Sequence, residues 1–119
     1  MRIMIVDDSR AMRMIVARTL KQAGHRGELV EAADGADALE AIRAEPPDLV
    51  LSDWNMPGMT GIELLAALRA EGLDVPFGFV TSETTAEMRD RAIRCGASFL
   101  VAKPFAAQDF EELLAELAA

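Results

Sequence analysis

One cysteine, Cys95, stands in a chain of 119 residues, so no internal disulfide can form. Basic residues are scarce, 12 Lys and Arg against 20 Asp and Glu, which gives a formal net charge of -8 and a pI near 4.6. A protein that grips nucleic acid directly needs a basic face for the phosphates, and this chain lacks the charge to build one. Acidity by itself argues only for solubility. Long apolar runs are also missing: no stretch matches a membrane span, and the initial Met is not followed by the apolar core of a signal peptide. A cytoplasmic protein is the expectation. There is no low-complexity segment, internal repeat or linker. At 12.9 kDa, residues 1–119 are expected to form a single domain around one core, and no second domain fits. The initial Met, and an end at Ala119 directly after the last helical pattern, lead us to expect a stand-alone protein; a monomer is also the expectation.

What is present is an alternation of strand and helix signals, five of each, the pattern of a parallel sheet covered by helices on both faces. Residues 2–6 (RIMIV) read as the first strand, ending on Asp7 and Asp8. Asp8 or Ser9 can cap a helix whose Met12, Ile15, Val16 and Leu20 fall at helical spacing, with Gly24 at its close. Residues 28–32 are a short half-polar strand, hence an edge. Asp34 and Gly35 lead into a helix that turns Ala38, Leu39 and Ile42 inward and stops at Pro46 and Pro47. Leu49, Val50 and Leu51 form a strand buried on both faces that stops at Asp53 and runs into a Pro/Gly-rich loop to Gly61.

Thr60 can cap a third helix burying Leu64, Leu65 and Leu68, with Gly72 past its end. Residues 76–80 make the fourth strand, leading to Thr81 and Ser82; Gly78 inside it implies close packing of a neighbour. The fourth helix, about residues 85–94, has the weakest apolar stripe, Met88 and Ala92, and is a candidate for movement. Residues 99–102 form the fifth strand, ending on Lys103 and Pro104. The last helix places Phe110, Leu113, Leu114 and Leu117 on one face.

Asp7, Asp8, Asp53, Thr81 and Lys103 all lie at carboxyl ends of strands, so a parallel sheet projects them from one edge, where ligands of open α/β sheets bind. Taken singly, each has an ordinary reading: Asp53 as a loop cap, Asp7 and Asp8 as helix-start residues, Thr81 as a helix cap, Lys103 as a surface lysine. Together they describe a site. Clustered carboxylates repel and raise the pKa of at least one of them unless a cation is near. Carboxylates with loop carbonyls and water are hard oxygen donors that suit Mg²⁺. With a lysine beside them, they could neutralise and position an incoming phosphoryl group.

The acid pair Asp7–Asp8, the lone Asp53 in DWNMPGMTG, Thr81 and the Lys103–Pro104 dipeptide resemble the bacterial two-component response-regulator receiver domain, in its single-domain chemotaxis form. The similarity covers nearly the whole chain. It implies a flavodoxin-like, doubly wound (βα)5 fold with strand order 2-1-3-4-5. It implies that Asp53 accepts a phosphoryl group from a histidine kinase or phosphotransfer protein, as a carboxylate nucleophile in a phosphorelay. By the same resemblance, Mg²⁺ is held by the side chains of Asp8 and Asp53, by the backbone carbonyl of Asn55, and by Asp7 through water. Lys103 pairs with the phosphoryl oxygens, Thr81 swings its hydroxyl onto them, and the bond before Pro104 is cis. The output face for a phosphorylation-dependent partner is the fourth helix, fifth strand and fifth helix.

One residue departs from the family pattern. The position three before the lysine, often an aromatic that moves with the threonine, is Leu100, and Phe99 one place earlier points to the opposite face. Trp54 could be core but, following an outward-turning Asp53, reads as lying beside the metal site, and His25 reads as a surface residue. Arg10, Arg13 and Arg18 read as a solvated face, with a kinase-docking surface as the alternative. Cys95 and the methionines read as packing. Two other classes fit less well. A haloacid-dehalogenase-like phosphohydrolase resembles D-x-D, whereas Asn55 stands where its second acid belongs, and without a general acid the chain is not expected to turn over outside substrates. A nucleotide or flavin binder needs a Gly-rich loop after the first strand, and VDDSRAM has none. Within the family, the chain could also be the receiver excised from a DNA-binding regulator.

Overall fold

The computed structural model describes residues 1–82 and 85–118. Five strands, β1 (Ile3–Val6), β2 (Leu29–Ala32), β3 (Leu49–Ser52), β4 (Phe77–Thr81) and β5 (Phe99–Ala102), alternate with helices α1 (Arg10–Gln22), α2 (Gly35–Ala44), α3 (Gly61–Ala70), α4 (Ala86–Arg94) and α5 (Ala107–Ala118). All strand pairs are parallel, and the order is β2-β1-β3-β4-β5, the flavodoxin-like order the resemblance implied.

Alternation along the strands divides the core between the two faces of the sheet. Met4, Val6, Val50, Phe77 and Phe79 point to one side, where Leu39 and Ile42 of α2, Leu64, Leu65 and Leu68 of α3, and Ala92 of α4 cover them. Ile3, Ile5, Leu49, Leu51 and Val80 point to the other, against Val16 and Leu20 of α1 and Phe110 and Leu113 of α5. The central β1 and β3 are buried at every position, whereas β2 and β5, at the edges, are not.

The caps follow the sequence. The side chains of Ser9, Asp34, Thr60 and Thr85 each accept a backbone N–H from the first turn of α1, α2, α3 and α4. Thr60 and Glu63 close a reciprocal capping box. The fourth strand begins one residue later than its sequence reading, at Phe77, because Pro76 has no N–H to give the ladder; its carbonyl still accepts the Val50 N–H at 2.9 Å.

Several residues differ from their sequence reading, among them Ile15, read into the apolar stripe of α1 but 46% exposed. His25, expected at the surface, is 8% exposed: the chain turns back after α1 so that its N–H donates to the Leu20 carbonyl, and its ring is folded under, with Nε2 buried and unpartnered. Arg13 is not part of a solvated face. Its guanidinium donates to the Asp7 carbonyl at 2.6 Å and to Glu31 at 2.8 Å, tying α1 to the ends of β1 and β2. In α4 only Ala92 is fully buried and Ile93 is 51% exposed, in keeping with the weak stripe.

Candidate functional site

The carboxyl ends of the strands are stitched together by main-chain hydrogen bonds that continue the ladders past the sheet. The Asp53 N–H donates to the Val6 carbonyl at 2.9 Å, which sets the residue after β3 beside the residues after β1. The Lys103 N–H donates to the Thr81 carbonyl at 2.9 Å, which does the same for β5 and β4. Carboxylate oxygens of Asp7, Asp8 and Asp53 consequently lie within 4.8 Å of one another. Lys103 Nζ sits 3.5 Å from Asp7 Oδ2 and 3.5 Å from Asp53 Oδ1.

Each carboxylate has its own setting. Asp7 is buried and its Oδ1 accepts the Ser9 N–H at 2.9 Å, so the residue that caps α1 also orients an acid of the site. Asp8 is exposed. Asp53 is half-buried and its Oδ1 accepts the Trp54 N–H at 2.8 Å. Burial raises the Asp53 pKa above the ordinary carboxylate value; the Lys103 charge opposes the rise, the Asp7 charge adds to it, and the Trp54 N–H opposes it.

That shift has a signed consequence. Between the ordinary carboxylate pKa and the raised folded value, the native state holds a proton that the unfolded chain has released. Stability contributed at Asp53 is therefore complete in acid below the ordinary value and is lost as pH rises through the folded one. Without divalent metal, Asp53→Asn is expected to melt at a higher temperature than wild type at neutral pH, with the gap closing in acid. Thermal melts across pH check this, and a gap that widens in acid would contradict it.

Asp53 is held from behind by α3. The Gly61 N–H donates to the Trp54 carbonyl at 2.9 Å, and a Cβ at Gly61 would stand 2.2 Å from the Asp53 carbonyl oxygen, so the helix start can approach this backbone only as glycine. The Ser52 hydroxyl donates to the same carbonyl at 2.8 Å. Sequence reading missed Gly61 and Ser52 as supports of the site. Gly61 carries a signal, a glycine directly after the cap Thr60, but what it approaches is visible only in three dimensions.

Thr81 is buried at the end of β4, and Asn55 is exposed in the loop after β3. The Lys103–Pro104 peptide bond is cis. Trp54 corrects its reading: its ring is 5% exposed, packed 4.7 Å from the ring of Phe79 in the core, and it is the Trp54 main chain that reaches Asp53. Leu100 is half-buried against the core on the α2–α3–α4 side, while Phe99 packs on the opposite side. Phe99 also accounts for Gly78, its partner in register: a Cβ at Gly78 would lie 1.9 Å from the Phe99 ring.

Three carboxylates in one cluster, one exposed and one half-buried, form a hard-oxygen donor set that fits a small divalent cation. A nucleophilic carboxylate, an ammonium group and a cation site together can bring a phosphoryl group and its acceptor into contact.

Comparison with known proteins agrees. Residues 3–115 match the model of the response regulator receiver domain. The chain is 39% identical over 119 residues to the chemotaxis protein CheY of Pseudomonas aeruginosa, covering 98% of this chain and 95% of that one. It superposes on the chemotaxis protein CheY4 of Vibrio cholerae with a TM-score of 0.85, at 34% identity and with 98% and 97% of the two chains covered. It also superposes on the signal receiver domain of the response regulator NarL from Mycobacterium tuberculosis with a TM-score of 0.88, at 31% identity, covering 98% of this chain and 94% of that one. Sequence, fold and the acidic cluster at the strand ends thus converge on one conclusion: the chain belongs to the response regulator receiver domain family.

Proposed function

We propose that this chain is a stand-alone, single-domain response regulator of the cytoplasm that takes a phosphoryl group onto Asp53 from a histidine kinase or phosphotransfer protein, in a chemotaxis-type pathway. The observation that carries the reading is the convergence of the Asp7, Asp8 and Asp53 carboxylates within 4.8 Å, with Lys103 Nζ 3.5 Å from Asp53. A carboxylate oxygen of Asp53 attacks phosphorus, an O–P bond forms as the P–N bond of the phosphohistidine breaks, and the leaving imidazole nitrogen keeps the electron pair and is protonated from solvent. Lys103 meets the phosphoryl oxygens as they arrive. Thr81 offers its hydroxyl to them.

Mg²⁺ would be held by the side chains of Asp8 and Asp53, the backbone carbonyl of Asn55 and, through water, Asp7. When bound it supplies positive charge against the carboxylates and the phosphoryl oxygens. The chain acts as a phosphoacceptor that assists its own phosphorylation and dephosphorylation. With Asn55 two residues after Asp53, it has no second acid there to turn over outside substrates. The phosphorylated state would present α4, β5 and α5 to a protein target.

The test is uptake from acetyl phosphate with Mg²⁺, read by intact mass. Wild type gains one phosphoryl group and Asp53→Asn, which keeps the shape but loses the anionic oxygen, gains none. Labelling that survives the substitution would refute the assignment. A second reading has a specific support, the superposition on a DNA-binding response regulator of the LuxR family from Staphylococcus aureus at 25% identity with a TM-score of 0.87: the same chemistry would then serve the receiver of a DNA-binding regulator. Phosphoryl uptake is common to both readings.

A further inference from the structure

A groove of about 370 Å³ runs between α4 and α5 over the edge strand β5. Its floor is apolar, with Leu100 and the buried Leu113, and its rim carries Asp109, Glu112 and Glu116 on α5 against Arg89 on α4, the one cation among the described lining residues. The acid excess comes from one helix: α5 holds Asp109, Glu111, Glu112 and Glu116 and no Lys or Arg. We propose that the occupant of this groove is a short basic, amphipathic segment of a partner protein, its apolar side chains on the β5 floor and its Lys or Arg side chains at Glu112 and Glu116.

The inference deepens, and rests on, the proposed output role of the α4–β5–α5 face by naming the chemistry of what docks there. Three arguments select the occupant. Half-buried Phe99, Leu100 and Val101 of β5 line the groove, so apolar side chains from outside meet an apolar floor. The rim selects for positive charge, because complementary potentials steer encounter and like charges across an interface repel. A second copy of this chain is the rival, and it would bring the same acidic rim on a body of net charge -8. Asp109 is less available than its neighbours, since its Oδ2 accepts the Ala106 N–H at 2.8 Å, which leaves Glu112 and Glu116 as the residues to test.

The probe is a fluorescent amphipathic peptide of Leu and Lys at helical spacing, with a Leu and Glu counterpart as its charge-reversed control, titrated by anisotropy at low ionic strength. The wild-type protein should bind the basic peptide, and Glu112→Gln with Glu116→Gln should weaken it about fivefold. Asp37→Asn with Glu40→Gln, which removes the same charge from α2 at the far edge of the sheet, should leave affinity nearly unchanged. Equal weakening by the two variants would overturn the proposal in favour of net charge alone. Equal binding of the acidic peptide, or sedimentation of the wild type as a dimer that excludes the basic one, would also overturn it. Binding is read in unphosphorylated protein, so failure of groove recognition and failure of phosphoryl uptake on Asp53 are separate results.

Discussion

Gly78→Ala is expected to cost about 2 kcal/mol of stability, a large loss for one methyl group. Three ring atoms of Phe99 would lie 1.9, 2.1 and 2.4 Å from the new Cβ, far inside van der Waals contact. Gly78 does not have a positive φ, so backbone strain is not the cause. The ring must move or β4 and β5 must part, and both disturb the strand ends that carry Thr81 and Lys103. The loss should therefore be coupled to Phe99: with Phe99→Leu as background, Gly78→Ala should cost about 1 kcal/mol less than in wild type. Urea melts of the two single variants and the double variant measure the coupling. Strict additivity would mean that the ring does not set the cost.

The second large effect concerns the acidic cluster. Mg²⁺ at roughly a hundredfold excess over its dissociation constant should stabilise the folded protein by about 2.7 kcal/mol, because the unfolded chain does not gather the three carboxylates. For a domain of this size that is a rise of roughly 10 °C in melting temperature. Asp8→Ala and Asp53→Asn should each lose most of the rise, by removing a ligand and by weakening one. Potassium chloride at matched ionic strength should not reproduce it, since screening of surface charge is unspecific. A wild type that melts alike with Mg²⁺ and with matched salt would show that the cluster does not hold the metal.

The strand ends were legible in the sequence because each apolar run stops abruptly at a polar residue, and in a parallel sheet that stop has one direction. Asp7, Asp8, Asp53 and Lys103 could be brought to one edge by that rule alone, and the structure places their charged groups together. The strand order entered through resemblance, since alternation of strands and helices does not fix which strands are neighbours. Other residues were misread for a common reason: what decides them is a contact across the fold. Trp54 follows an outward-turning aspartate, yet its ring turns back onto Phe79. Arg13 looks like one of several helix-surface arginines until β1 and β2 supply the Asp7 carbonyl and Glu31. His25 follows a glycine at the close of α1, a position that reads as exposed until the turn folds the ring under the chain.

The central claim is that Asp53, among three carboxylates of one cluster, is the one that becomes an acyl phosphate. The direct measurement is to treat wild-type protein with acetyl phosphate and Mg²⁺, reduce the acyl phosphate with borohydride, and locate the reduced residue by tandem mass spectrometry. The account predicts a single modified residue, Asp53, and no modification when Mg²⁺ is chelated. Modification at Asp7 or Asp8 with Asp53 untouched, or no reducible acyl phosphate in folded protein, would contradict it.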